Sequence, residues 1–264
     1  MTRVADSLTP DRAILPDWFQ GDAGQALLSE EIAALPALIP EQFYHVGLQF
    51  GLNEQPLLGE CNVDLAVYCD TGCMGGDHSA NNVIASPEAL PLAENSVDIA
   101  ILLHTLDYCE NPHDVLREVA QVLSPEGVLV LTGFHPYSLW GAERALRRGR
   151  PPFDARFISR KVVQDWLELL GFKPLTGCVL NYQLSTLNAG WRKRLAWMNR
   201  VGDRWWPTLG AVYALVVQKK MYSGIGVKNS LRLGAKWFPD LKPAQARVAN
   251  QRRILKQGDL TAPE

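Results

Sequence analysis

The stretch from Ala85 to Leu131, ASPEALPLAENSVDIAILLHTLDYCENPHDVLREVAQVLSPEGVLVL, decides the fold. Within it Val97 to Leu103 is short and almost wholly apolar, the pattern of a strand buried on both faces. Asn111-Pro112 breaks the chain. Val115, Val119, Val122 and Leu123 then recur at helical spacing, with Arg117, Glu118 and Gln121 between them. Ser124-Pro125-Glu126-Gly127 turns the chain into a second apolar strand that starts at Val128. Two apolar strands joined by one helix predict a parallel sheet with a right-handed crossover.

The rest of the chain fits around this unit. Its 264 residues, 47% hydrophobic and 20% charged, suffice for one sizeable α/β domain with decorations. Five cysteines (61, 69, 73, 109 and 178) are an odd number, and Met1 to Asp6 has no secretory pattern, so reduced thiols and a cytoplasmic setting are expected. The longest apolar run, Trp205 to Val217, is interrupted by Pro207 and too short to span a bilayer. Residues 1–130 hold 3 Lys/Arg against 20 Asp/Glu, a net of −17; residues 131–264 hold 23 against 8, a net of +15. Either the halves neutralise each other within one fold, or the basic half faces an anionic substrate, a membrane surface or nucleic acid. The first reading is preferred, because the basic residues are spread over more than one element.

Residues 1–40 form an N-terminal helical cover: Asp17 to Leu35 places Leu27, Leu28, Ile32 and Leu35 on one side, with Glu30 and Glu31 near the other. Phe43 to Gly51 reads as a first strand and its turn, Val63 to Cys69 as a second strand ending at Asp70, and Asn82 to Ala85 as a third. Thr71 to Asn82 reads as a loop. A fifth strand leads into Thr132–Gly141, a loop dense in aromatics and hydroxyls. A short basic helix carries Arg144, Arg147, Arg148 and Arg150. Ile158 to Leu170 reads as an amphipathic helix with Val162, Trp166, Leu169 and Leu170 inward, stopped by Gly171. Val179 to Leu184 and Ala211 to Val217 read as a final antiparallel pair, with a helical insertion at 187–208 between them. That insertion reads as a lid over a ligand pocket in preference to a helix lying on a membrane. Residues 221–264 read as a basic extension, expected to be partly mobile. Cys61, Cys69, Cys73 and His78 lack a Cys-x2-Cys knuckle, so no metal site is predicted.

Leu90-Pro91, Asn95-Ser96-Val97-Asp98, Leu103-His104, Asn111-Pro112, Glu118, Val122-Leu123 and Pro125-Glu126-Gly127 follow one another at fixed spacing over about forty residues. In this order they resemble the second half of a class I S-adenosylmethionine-dependent methyltransferase domain, type 11-like. The resemblance implies a Rossmann-like, doubly wound seven-stranded α/β sheet with an antiparallel final strand, spanning residues 41–220. It also implies S-adenosylmethionine as cofactor and a small-molecule acceptor, with no metal. The family's glycine loop is relaxed here: Gly47 and Gly51 stand at its first and third glycines, Gln49 replaces the middle one, and His45 stands where an acid is usual. Carried over, the cofactor contacts are Gly47, Leu48, Gln49, Gly51, Asp70, the run Ser86, Pro87, Glu88, Ala89 and Leu90, and His104. His104, His135 and Tyr137 would face the acceptor, His104 as a candidate general base. On this reading Gly47→Arg blocks the cofactor without unfolding the sheet. The departures at 45 and 49 keep a second reading open, a catalytically silent scaffold whose basic half binds nucleic acid or another anionic partner. Nucleic acid is the less favoured partner, because no RNA-binding motif is present.

Overall fold

The computed structural model describes residues 18–52, 56–71, 82–147, 152–182 and 210–220. The expected lid at 187–208, the extension at 221–264 and most of the loop at 71–82 lie outside these residues. The strands are β1 (Tyr44–Phe50), β2 (Val63–Asp70), β3 (Asn82–Ile84), β4 (Val97–Leu102), β5 (Leu123–Phe134), β6 (Phe172–Leu180) and β7 (Val212–Lys219). They form one sheet in the order β3-β2-β1-β4-β5-β7-β6. β7 runs antiparallel to both neighbours, and the pairs from β3 to β5 are parallel. The seven-stranded α/β sheet with an antiparallel end is thus as expected. β6 starts earlier than its apolar pattern suggests, at Phe172, because Lys173 to Leu175 are exposed there.

The helices are α1 (Asp22–Ala34), α2 (Thr105–Tyr108), α3 (Pro112–Val122), α4 (Leu139–Leu146) and α5 (Arg160–Leu169). Side chains alternate across the central strands. Ile99, Ile101, Val128 and Val130 face a core that includes Leu27, Leu28 and Trp140; Ala100, Leu102, Leu129 and Leu131 face one built with α3 and α5. α3 starts with Pro112 at its first position, where a missing N–H costs nothing. It buries Val115, Leu116, Val119 and Val122, each such side chain stabilising by about 1.5–3 kcal/mol. The connection from β1 to β2 carries no α-helix among its described residues, only a 3-10 turn at Leu57–Glu60. α1 and the buried Leu57 and Leu58 fill that face of the sheet instead.

α5 is rotated relative to the sequence reading, and α1 keeps its predicted apolar face but buries one acidic residue more. α5 turns Val163, Gln164 and Leu167 inward, and leaves Val162 and Leu169 exposed. α1 buries Glu31 together with Leu27 and Leu28. Both corrections put polar groups inside the domain, and both matter below.

Candidate active site

The strand order reverses between β1 and β4, and open α/β sheets take ligands beyond the carboxyl ends of strands at such a point. Gly51 follows β1 directly with φ of +81°. A Cβ there would lie 2.7 Å from the Leu103 carbonyl oxygen, so only glycine allows the chain to turn this closely against the end of β4. The Leu103 N–H and the Thr105 hydroxyl both donate to the Phe50 carbonyl, at 3.1 and 3.2 Å, which stitches the two strand ends together. Register pairs Phe50 with Cys69, so Asp70 stands beside Gly51. Asp70 Oδ1 accepts from the Thr71 N–H at 2.6 Å. The Ala85 N–H donates to the Asp70 carbonyl, and Ser86 opens a tight turn closed by the Ala89 N–H. Gly51, Asp70 and Ser86 therefore share one rim.

Other expected cofactor contacts lie elsewhere. Gly47 is in mid-strand, paired with Ala66 and Ile99, and its missing side chain makes room for Leu58 and Val63. His45 is exposed at the amino end of β1, the opposite end from the ligand rim. Leu48 is fully buried in the core on the α3 side. Gln49 is also buried; its Oε1 accepts from the Leu57 N–H at 2.9 Å and its Nε2 donates to the Leu52 carbonyl at 3.5 Å. It braces the chain after β1. Pro87 is buried, Ala89 is exposed, and Glu88 accepts from the Asn111 N–H at 3.0 Å. Leu90 is in the core, with its N–H donating to Glu118. Gly47→Arg should consequently unfold the sheet, since a Cβ at 47 already meets Leu58 and Val63 at 2.8 and 2.9 Å. Thermal melting checks this: loss of the cooperative transition is expected, and a normal melt would place Gly47 in a roomier setting.

His104 departs most from its expected role. It begins the turn after β4 in a left-handed conformation, φ 51°, and is wholly buried. Its Nδ1 meets Asp107 Oδ2 and its Nε2 meets Glu31 Oε1, both at 2.9 Å. Phe134 and Phe19 flank the ring, with centroids at 4.3 and 5.4 Å. The same Asp107 oxygen accepts from the Phe134 N–H, which ties the clamp to the end of β5. Ionised carboxylates only accept, so an imidazole between two of them keeps both of its protons. Burial opposes that charge, yet the two carboxylates outweigh it and raise His104 to about 9. A histidine that is protonated at neutral pH and sealed at both nitrogens is no general base. It joins α1 to the strand ends.

His135 is better placed for proton transfer. It follows β5, its N–H donating to the Ala211 carbonyl, and its half-buried ring lies 5.8 Å from Tyr137. Burial first, and then the charge of Arg160, hold it below its ordinary value of 6.5, so the ring is neutral at physiological pH. Tyr137 is exposed. Beside them opens a cavity of about 540 Å³ lined by Pro136, Arg144, Phe153, Asp154 and Phe157 among others. Arg144 is fixed there by donating to the Phe153 carbonyl and by lying over the Phe157 ring, 4.9 Å from its centroid. No metal-binding cluster occurs among the described residues; Cys73 and His78 lie outside them. Burial, with Glu60 or Asp70 nearby, pushes Cys61 and Cys69 up to about 11, so both remain thiols.

Residues 69–131 match the family model of a methyltransferase domain. A solved S-adenosylmethionine-dependent methyltransferase of Thermotoga maritima, described as a possible histamine N-methyltransferase, superposes with a TM-score of 0.57. It is 17% identical, over 78% of this chain and 94% of that one. The fold is that of a class I S-adenosylmethionine-dependent methyltransferase. A methyltransferase solved with the Haloferax volcanii activator Trm112 is similar in fold to this chain at a TM-score of 0.56 and 15% identity, covering 78% and 97%. The uncharacterized protein YafS of Escherichia coli (strain K12) is 41% identical over 95 residues, 35% of this chain and 40% of that one. The match thus spans less than half of that relative. Among the described residues no helix of the domain is long and apolar enough to cross a membrane.

Glu31 and Thr105 escaped the sequence reading. Glu31 had a signal: it stands four residues from both Leu27 and Leu35, on the apolar stripe itself.

Proposed function

We propose that this domain transfers a methyl group from S-adenosylmethionine to a small-molecule acceptor. The observation that carries the reading is the shared rim of Gly51, Asp70 and Ser86 at the switch point. In this reading the Asp70 carboxylate accepts from the ribose hydroxyls, and the bare backbone at Gly51 allows close approach. The turn from Ser86 to Ala89 flanks the adenine. The residues present suit the adenosine half of the cofactor best. At the methionine half no carboxylate ends β1, and the Gln49 amide is already engaged by the chain.

S-adenosylmethionine supplies, when bound, a methyl group on a positively charged sulfur, open to in-line displacement. The chain therefore needs no nucleophile of its own. Its work is alignment and exclusion of water. The loop after β5 frames the acceptor beside the 540 Å³ cavity, with Pro136 in its wall, Tyr137 exposed next to it in the chain and the neutral His135 available to take a proton from the attacking atom.

Calorimetric titration with S-adenosylhomocysteine tests this directly. One site per chain is expected, with a dissociation constant of about 1–100 μM. Asp70→Ala should weaken it by about tenfold or more, the loss of one or two hydrogen bonds to a charged acceptor. A folded sample that gives no heat and no thermal stabilisation would overturn the reading. The silent scaffold would then take its place, and a salt-sensitive gel shift with RNA would be the next measurement.

A further inference from the structure

The inward stripe of α5 is Val163, Gln164 and Leu167, with the half-buried Arg160 in line with them at i, i+3, i+4 and i+7. Two of these four are polar. Arg160 Nε and Nη1 are sealed from solvent and have no hydrogen-bond partner among the described residues, and the same is true of Gln164 Nε2. Tyr213, wholly buried on β7, lies on the same side of the sheet with its hydroxyl against Gly133, within range of the Asp107 charge and without a hydrogen-bond partner among the described residues. Above it stands His135, ring centroids 6.4 Å apart, with Nδ1 unpartnered. Arg160 is close enough for its charge to depress His135.

These groups are donors or can act as donors, and they come from three elements. No carboxylate pairs with Arg160 among the described residues. Arg160 is half-buried, and its two sealed nitrogens bear a desolvation cost with nothing in return; burial holds it below its usual range. Buried polar atoms in folded proteins are nearly always satisfied, so a group of orphaned donors at one place marks a missing acceptor. A planar guanidinium matches carboxylate or phosphate oxygens above other partners. The amino end of α5 adds the positive end of its dipole in the same direction.

We propose that Arg160, Gln164, Tyr213 and His135 form an oxyanion site that holds a carboxylate or phosphate group of the acceptor. Calling that ligand the acceptor rests on the methyl-transfer reading; the oxyanion site itself does not. The site lies at the carboxyl end of β5, where His135 precedes Pro136 of the cavity wall in the chain, so a bound oxyanion would anchor one end of a small acidic molecule there. Its other end could then extend toward the cofactor rim. A neutral His135 is compatible with either role, donating through Nδ1 to the oxyanion or, in the other tautomer, accepting from substrate.

The test is titration of the full chain with sodium acetate and with inorganic phosphate at constant ionic strength, using chloride as the reference. Binding that saturates beyond the chloride control is expected for at least one of the two, and which one it is identifies the oxyanion. Arg160→Gln should weaken it by about tenfold or more, and Tyr213→Phe, which keeps the ring packing, by about threefold. Affinity for S-adenosylhomocysteine should change in neither variant. If Arg160→Gln does not fold, Tyr213→Phe and Gln164→Leu carry the test alone. No saturation beyond chloride for either anion, or binding that both Arg160→Gln and Tyr213→Phe leave intact, overturns the site. Saturable anion binding in a protein that ignores S-adenosylhomocysteine would keep the site and remove the methyl-transfer reading instead.

Discussion

Raising the pH from 6.5 to 9 should cost the folded protein about 3 kcal/mol, and Glu31→Gln should flatten most of that slope. The sign follows from the clamp. In the folded chain His104 keeps its proton up to about 9, while an unfolded histidine releases it near 6.5. The stabilisation is complete below 6.5 and lost as the pH rises through 9. Asp107 acts in the same direction at lower pH. Burial, against the pull of His104, pushes it up from 3.8 to about 6, so its proton-linked stability falls away between those values. His104→Ala removes the cation outright and leaves Glu31 and Asp107 as buried carboxylates with no counter-charge, a loss of about 3–5 kcal/mol. Urea unfolding at pH 6, 7.5 and 9 for the wild type and both variants measures all of this. Superimposable pH profiles for the wild type and Glu31→Gln would mean that the proton on His104 does not hold α1 to the strand ends.

The sheet was legible for a local reason and the clamp was hidden for a non-local one. A strand buried on both faces must be a short apolar run, so Val97–Leu103 and Val128–Leu131 declared themselves, and the helix between them had to cross over. The clamp needed Glu31 and His104, 73 positions apart, to be known as neighbours. A glutamate at the edge of a leucine stripe is read as solvated by default, and that default concealed it. The same default rotated α5. Val162, Trp166, Leu169 and Leu170 make the more apolar face of that helix, whereas the face it buries carries the polar Gln164. The glycine loop misled through spacing. Gly47 and Gly51 are four apart, like the ends of a glycine motif, but β1 runs on to Phe50 and leaves only Gly51 for the turn. What the spacing could not reveal was that Gly47 accommodates Leu58, a packing role with no pattern of its own. The position of Asp70 at the end of β2, beside Gly51, was legible because a strand end about twenty residues beyond a glycine turn depends only on local chain length.

Gly51→Ala should be the most damaging methyl group that can be added at the ligand rim, for two separable reasons. The first is torsional: at φ +81° an alanine pays about 1–2 kcal/mol that glycine does not. The second is contact, since the new Cβ would sit 2.7 Å from the Leu103 carbonyl oxygen. That oxygen belongs to backbone and cannot swing away like a side chain, because Leu103 is tied through its N–H to Phe50. Relief requires β1 and β4 to part at their carboxyl ends, where Asp70 and Thr105 are also positioned. Loss of about 3 kcal/mol of stability is expected, together with a tenfold or greater loss of S-adenosylhomocysteine affinity. Gly59→Ala is the control, because a Cβ there meets nothing within 4 Å, and it should leave both quantities within experimental error. Gly51→Asn separates the two causes. Asparagine tolerates the left-handed region yet carries the same Cβ. If torsion alone excluded alanine, Asn would restore stability and binding; if the approach to Leu103 dominates, Asn should fail almost as badly as Ala. The 2.7 Å contact with fixed backbone favours the second outcome. A Gly51→Ala protein that matched Gly59→Ala in both unfolding midpoint and affinity would show that the turn can move freely, and the rim would then have to be sought elsewhere.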